Sequence, residues 1–297
     1  MKLLLLPALA LILGNRIKQP QISNLALTDL AKQIPLSAIA YTDSLYSYQS
    51  VSTGKWGIKN RAGRTIVRAR YTCIGEIYNG KFPVIINGYH GIADTAGNIT
   101  WLKHYRFDTY DWDPSGQTFI NGAGEGLIAV KNKNNKIGFI NYAGELVLPC
   151  RYSTVQPFSE GMCCVSRDSL YGFIDKKGNT VIPFYYKSAY SFHENRAAVL
   201  IGNKYGFIDS TGKVVIAARF ENPGSFSEGL CLVTRTPNFS AFFYIDLNGN
   251  VAFKGTFDDA ESFYNGKAVI SKDGKCWQID KTGKRLKYMG TDYFYGC

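Results

Sequence analysis

Histidine is scarce in this sequence. Only His90, His104 and His193 occur in 297 residues, and no two stand at His-x-x-x-His spacing, so an imidazole metal centre is not predicted. The seven cysteines form no Cys-x-x-Cys pair, which excludes the zinc-finger and thioredoxin-like patterns. Seven is also an odd number, and so not a disulfide framework. The chain has no Gly-x-Ser-x-Gly elbow and no phosphate-cradling glycine loop, and no cofactor is expected. Acidic residues are few, 23 against 34 Lys and Arg, which leaves a net charge of +11. The basic residues are mostly spread among acids, and no nucleic-acid motif accompanies them. Helical periodicity is missing after residue 50.

Long apolar runs are also missing, apart from the one following Lys2. Leu3–Leu13 is too short to cross a bilayer but fits a signal peptide over residues 1–14, with cleavage after Ala10 or near Gly14. The mature chain is then expected to carry no integral membrane span. Its expected location is periplasmic, envelope or secreted, with the cytoplasm as the alternative. Residues 15–40 read as an extension, within which 21–40 suit a short helix starting near Ser23 or Thr28.

Aromatics and glycine are abundant: 20 Tyr, 18 Phe and 30 Gly. Tyr and Phe favour strands and Gly marks turns, so the chain reads as all-β. The glycines keep a rhythm. Gly138-Phe139-Ile140-Asn141, Gly172-Phe173-Ile174-Asp175 and Gly206-Phe207-Ile208-Asp209 follow one another at intervals of 34 residues. A fixed period of this length signals a repeat architecture.

Aligned on an Asx-x-x-Gly turn, seven copies emerge, at Asn60, Asp94, Asn141, Asp175, Asp209, Asp246 and Asp280. The Asx side chain caps such a hairpin and Gly supplies the positive φ. Three residues earlier stand Gly57, Gly91, Gly138, Gly172 and Gly206, replaced in the last two copies by Phe243 and Trp277. Further columns are aromatic (Tyr71, Tyr105, Tyr152, Tyr186, Phe220, Phe257) and aliphatic (Val84, Val130, Val165, Val199, Val233, Ile270). Between them lies a Phe-Ser-Glu-Gly turn, clearest at Phe158–Gly161 and Phe226–Gly229, whose acid column is Glu76, Glu125, Glu160, Glu194 and Glu228. An acid repeated once per copy argues for a structural role, because catalytic acids need unlike environments. Cys163 falls in a column of small apolar residues and reads as core. Each copy supplies about three short strands, or four if one forms near the aromatic column, with Pro149 and Pro183 ending the third.

Lys55-Trp56-Gly57-Ile58, with the Asx turn, the Val-Ile-Pro strand and the Phe-Ser-Glu-Gly turn, resembles the WG (KWG) repeat family of bacterial proteins over residues 41–291. The family's Trp persists only at Trp56; its other positions hold His90, Ile137, Tyr171, Tyr205, Phe242 and Cys276. The resemblance implies a scaffold or interaction surface without assigned chemistry. The last copy stops soon after its hairpin, and Tyr41–Val51 looks like the segment it lacks, with Tyr48 and Val51 at the strand position. Six full repeats and two complementary halves predict a single domain over 41–291, closed as a propeller-like ring, followed by a tail at 292–297. An open β-solenoid is the alternative.

One interval departs from the period. Gly91 to Gly138 spans 47 residues, and 12 of the extra ones lie between Tyr105 and Gly126. Insertions in repeat arrays map to loops on one face, often the binding face. This one offers Arg106, Phe107, Tyr110, Asp111, Trp112 and Asp113 as ligand-binding residues, a mixture suited to a protein, a peptide or an envelope glycan. Asp111-x-Asp113-x-Ser115-Gly116 is half a calcium loop without its closing Glu, so no metal is expected. Arg64, Arg68 and Arg70 would share a strand face as an anion site. The function expected is a non-catalytic binding scaffold. The alternatives are a glycan hydrolase or lyase using Asp108, Asp111 and Asp113 with His104, and a purely structural spacer.

Overall fold

The computed structural model describes residues 45–111, 118–120, 122–237, 241–291 and 293. The predicted signal peptide and the helix at 21–40 fall outside them, as does nearly all of the tail. Among the described residues there is no helix. Eight small antiparallel sheets occur among the described residues: a two-stranded hairpin in the insertion, and seven that succeed one another along the chain, each a meander of neighbouring strands. The first holds Leu45–Gln49, Trp56–Asn60 and Thr65–Tyr71. The second holds Cys73–Ile74, Lys81–Ile86, Tyr89–Asp94 and Ile99–Trp101. The third has Gly122–Gly124, Leu127–Lys131, Ile137–Asn141 and Leu146–Tyr152.

The fourth runs Thr154–Val155, Met162–Arg167, Leu170–Asp175 and Thr180–Tyr186. The fifth has Ala197–Ile201, Lys204–Ile208 and Val214–Phe220, and the sixth Asn222–Ser227, Leu230–Thr234 and Phe243–Asp246. The seventh is Asp259–Ala260, Lys267–Lys272, Lys275–Asp280 and Arg285–Gly290. The chain folds as two compact units. One runs to Phe158 and includes Val165–Asp168; the other holds Ser159–Cys164 and the residues from Ser169 on.

The sheets frame the repeat differently from the sequence columns. Leu45–Gln49 pairs with Trp56–Asn60 in the first sheet, Tyr48 standing opposite Gly57 where later repeats place their aliphatic residue. Val51, expected on this strand, lies in a turn and is fully exposed. The seventh sheet draws all four of its strands from residues 259–290.

Within a repeat, the glycine three residues before the Asx turn fixes the geometry. In the first sheet Trp56 pairs with Tyr71 and Ile58 with Val67, so Arg68, Ala69 and Arg70 bulge over Gly57 alone. The same register shift recurs around Gly138, Gly172 and Gly206. A Cβ at those three positions would lie 2.4, 2.7 and 2.7 Å from the carbonyl oxygens of Leu148, Ile182 and Ile216. Such a wide bulge brings two backbones within reach only if one has no side chain. Pro149 and Pro183 lie inside these bulged strands, not at their ends as expected; a bulge is one of the few strand positions that tolerates Pro.

Where the glycine is replaced, the outer strand changes. Beside Phe243 the sixth sheet has no continuous outer strand and keeps two isolated bridges, Phe242 to Phe257 and Ile245 to Val251. Beside Trp277 the seventh sheet pairs Trp277 directly with Tyr288.

The Asx turns close as the sequence predicts. Gly97 donates its N–H to the Asp94 carbonyl and Gly178 to that of Asp175, with φ of 88° and 82° at the glycines. The side chains of Asn98 and Asn179 donate to these aspartates and hold their carboxyls below the usual range.

Neighbouring repeats are joined by aromatic rings and by the glutamate turns. Phe139 meets Phe158 at 5.2 Å between centroids, Phe173 meets Phe192 at 4.9 Å, Phe207 meets Phe226 at 5.1 Å and Tyr244 meets Phe263 at 5.0 Å. The turn serines add Ser159 Oγ to the Phe192 carbonyl and Ser227 Oγ to that of Phe263, at 2.6 and 2.7 Å. Three of the turn glutamates then cap the following turn. Glu160 accepts from the N–H groups of Glu194 and Asn195, Glu194 from Gly229 (2.8 Å) and Glu228 from Gly266 (2.8 Å). The acid column is thus structural at Glu160, Glu194 and Glu228.

The described cysteines are free, and Cys163 and Cys164 are both buried. Burial pushes the Cys164 and Cys231 thiols up and that of Cys73 up to about 12, so they are inert core residues.

His90 occupies the Trp column. Its Nδ1 accepts the Phe107 N–H at 3.1 Å, and its ring lies 5.3 Å from that of Phe107. Burial, and then the positive charge of Arg106, lower its pKa. A base depressed on folding stabilises the fold above its unfolded pKa of about 6.5, and this contribution is lost as pH falls below that value. Glu261 titrates nearby with the opposite sign, because burial holds it up at about 7.

Three outcomes are expected. Gly206→Ala lowers stability by about 1–3 kcal/mol in urea unfolding, the cost of forcing a Cβ against fixed backbone. Glu228→Ala costs about 1–2 kcal/mol in the same assay, while Glu228→Gln, which keeps an acceptor, costs less. His90→Ile is less stable than the parent at pH 7.5, and thermal melts show the gap narrowing at pH 5.5; a gap independent of pH would contradict the neutral-imidazole reading.

Candidate functional site

The insertion begins as structure, not as a free loop. Arg106–Phe107 adds a strand to the third sheet, with Phe107 opposite Val130 and Arg106 opposite Lys131. Phe107 is 1% exposed and sits in a core cluster with Cys73, Ile85, Ile92 and Ile120. This corrects its assignment as a ligand-binding residue: Val130 already sets an apolar inner face, and strand pairing turns Phe107 onto it. The chain then forms a hairpin of Thr109–Asp111 and Thr118–Ile120, anchored by buried Ile120. Tyr110 and Asp111 lie on its first strand. Their side chains, with Trp112, Asp113 and the rest of the calcium-like stretch, fall outside the described residues.

Two proposed catalytic groups can be placed. Asp108 is largely buried and ion-paired to Lys131 at 2.5 Å, and its N–H donates to the Ala129 carbonyl. His104 is exposed. Arg106 is exposed and donates from Nη2 to Asn135 Oδ1 at 2.5 Å, at the tip of the next hairpin. Among the described residues, no three His, Cys, Asp or Glu side chains are placed to hold a metal ion.

Beside the insertion lies an aromatic pair that the sequence columns do not single out. Tyr89 is 71% exposed and Trp101 45%, with ring centroids 6.2 Å apart and planes at 75°. Trp101 aligns with Val67, Leu148, Ile182 and Ile216, all of which are buried. The second sheet omits the bulge at this point. It pairs Ala93 with Ile99, Ile92 with Thr100 and Gly91 with Trp101 without a register shift. In a strand, one residue of register exchanges the faces, so Trp101 turns outward. Tyr89 in turn stands where other copies carry Lys55, Lys136, Lys204 and Lys275. Exposed Lys103, His104 and Arg106 follow directly. The result is an aromatic shelf bordered by cationic and hydrogen-bonding groups.

The three arginines chosen as an anion site separate. Arg64 precedes its strand, and its N–H donates to Asn60 Oδ1 within the Asx turn, so strand alternation does not apply to it. Arg70 bonds the Gly97 carbonyl and the Tyr71 hydroxyl, both at 2.9 Å, and lies 5.0 Å above the Tyr71 ring. Arg219 repeats this contact with the Gly249 carbonyl and the Phe220 ring. Arg70 is thus a repeat joint, a role its position before the aromatic column could have signalled. Arg68 and Arg70 both line a cleft of about 200 Å³ completed by Ile66, Val67, Thr95, Ala96 and Gly97.

Comparison with known proteins follows from this geometry. No curated protein matches the sequence. Among solved structures, a eukaryotic initiation factor aligns over 85% of this chain and 74% of its own, with TM-score 0.50 and 13% identity. Hsv2p of Kluyveromyces lactis aligns over 80% and 93%, with TM-score 0.45 and 11% identity. The WD40 β-propeller domain of Doa1 aligns over 76% and 84%, with TM-score 0.36 and 12% identity. At these identities the likeness is at most one of fold, a succession of small antiparallel sheets. A family model described as a WG containing repeat matches residues 56–89, 137–171, 171–205, 205–235 and 242–276. These matches cover more than half of the sequence, and the chain belongs to the WG-containing repeat family.

Proposed function

We propose that this protein is a non-catalytic binding scaffold that takes a glycan chain on the shelf formed by Tyr89 and Trp101. The observation that carries the reading is the outward turn of Trp101, made by a register change that no other glycine-bearing repeat shows. Exposed aromatic faces with a polar edge suit sugar rings, and Lys103, His104 and Arg106 supply donors for hydroxyl or acidic groups. A peptide is the other ligand this mixture could hold. The hydrolase or lyase reading is weakened by Asp108, whose carboxylate is engaged by Lys131, and by the distinct structural tasks of the turn glutamates. The apolar run Leu3–Leu13 supports export to a compartment where such polymers occur.

The test is retention of the purified protein on a panel of envelope polysaccharides and peptides by affinity electrophoresis. The Tyr89→Ala/Trp101→Ala double variant is expected to bind glycan at least about tenfold more weakly, the scale of losing an aromatic hot spot. Its melting temperature should match the parent's, since both rings are exposed. Retention unchanged in the double variant, or retention on peptides alone, overturns the glycan reading. Release of soluble sugar by the parent would restore the enzymatic one.

A further inference from the structure

We infer that the cleft between the bulged strand of the first sheet and the Asp94–Gly97 turn of the second is a binding site for a tetrahedral oxyanion, a phosphate or sulfate group. The site lies apart from the aromatic shelf in sequence and is independent of the glycan reading.

The argument starts from a departure in the repeat. Arg68 aligns with Pro149, Pro183 and Ala217, the residues that occupy the bulge elsewhere. Small or rigid residues satisfy the fold at that position, so the fold does not require a guanidinium there. Arg70, two residues on, is the ordinary joint arginine. Its Nη2 is held by the Gly97 carbonyl and the Tyr71 hydroxyl, and its guanidinium lies over the Tyr71 ring. One cation is thus fixed by structural bonds, and a second stands beside it because both belong to the same bulge. Arg68 has no hydrogen bond or ion pair to any described residue, and the cleft both arginines line has no acidic residue in its walls.

The carboxylate of the adjoining turn, Asp94, is occupied internally: it accepts from the N–H and the side-chain amide of Asn98. Two guanidinium groups facing a common space repel one another unless an anion lies between them. Their planar donor forks match the oxygens of phosphate and sulfate, and the volume of about 200 Å³ admits such a group with part of its carrier. The sheets with Pro149, Pro183 or Ala217 at this position carry at most one arginine in the bulge, so this pairing belongs to the first repeat.

The experiment is a ¹H–¹⁵N NMR titration of the full chain with sodium phosphate and sodium sulfate, each against sodium chloride at matched ionic strength. Saturable shifts are expected for the amides of residues 66–70 and 95–97 with either oxyanion and not with chloride. Arg68→Ala should weaken binding at least about tenfold, the scale of one lost charge-assisted pair. Because the Arg68 side chain bonds no described residue, the variant's spectrum should otherwise match the parent's. Arg64→Ala, outside the cleft, should bind as the parent does. Titration with phosphate at pH 5.5 and 7.5 separates the sources, since phosphate gains charge over this range and sulfate does not. Equal shifts with chloride, or equal weakening by Arg64→Ala and Arg68→Ala, overturn the proposal.

Discussion

The close approach of two backbones at one glycine per repeat governs this structure. At Gly57, Gly138, Gly172 and Gly206 the outer strand bulges over the middle one, and a carbonyl oxygen occupies the space a Cβ would need. The bulge sets which side chains face inward along the outer strand. It also carries the arginine that reaches the next Asx turn, at Arg70 and Arg219. Local backbone geometry and the joint between repeats therefore depend on the same missing side chain.

The exceptions support this dependence. With Phe243 in place of glycine, the outer strand of the sixth sheet is reduced to two isolated bridges, Phe242 to Phe257 and Ile245 to Val251. With Trp277, the seventh pairs that residue directly with Tyr288, and the register shifts fall on either side, between Cys276 and Trp277 and between Gln278 and Ile279. In the second sheet the glycine remains but the strand ends early, at Trp101, and the wide bulge never forms. This departure exposes Trp101 where the regular repeat buries its residue, and the aromatic shelf results.

Much of this was legible in the sequence, because column residues act locally. The Asx turns, the acid column, the buried cysteines and the structural role of His90 all follow from position within a repeat. Register was not legible, since it depends on which residue of one strand lies opposite another. For that reason Trp101 was not singled out, and Val51 read as a strand residue. The insertion was recognised by its length, but length says nothing about inward and outward faces. Composition grouped Phe107 with Arg106 as a binding pair, whereas pairing with Leu127–Lys131 sent one ring into the core and left the guanidinium outside. Arg64 parted from Arg68 and Arg70 for a similar reason, since it lies in the Asx turn before the strand and period-2 alternation does not reach it.

The glutamate turns have a consequence for how such a chain can change length. Glu160, Glu194 and Glu228 each reach forward to the backbone of the next turn, and the donor each carboxylate meets there is a main-chain N–H. A main-chain partner is present whatever residue stands there, so each junction recognises the shape of its neighbour and not its identity. Copying or deleting one whole period along this stretch would leave every remaining junction with a suitable mate. The array behaves as a row of interchangeable couplings, free to vary its individual residues as long as each turn keeps its left-handed bend.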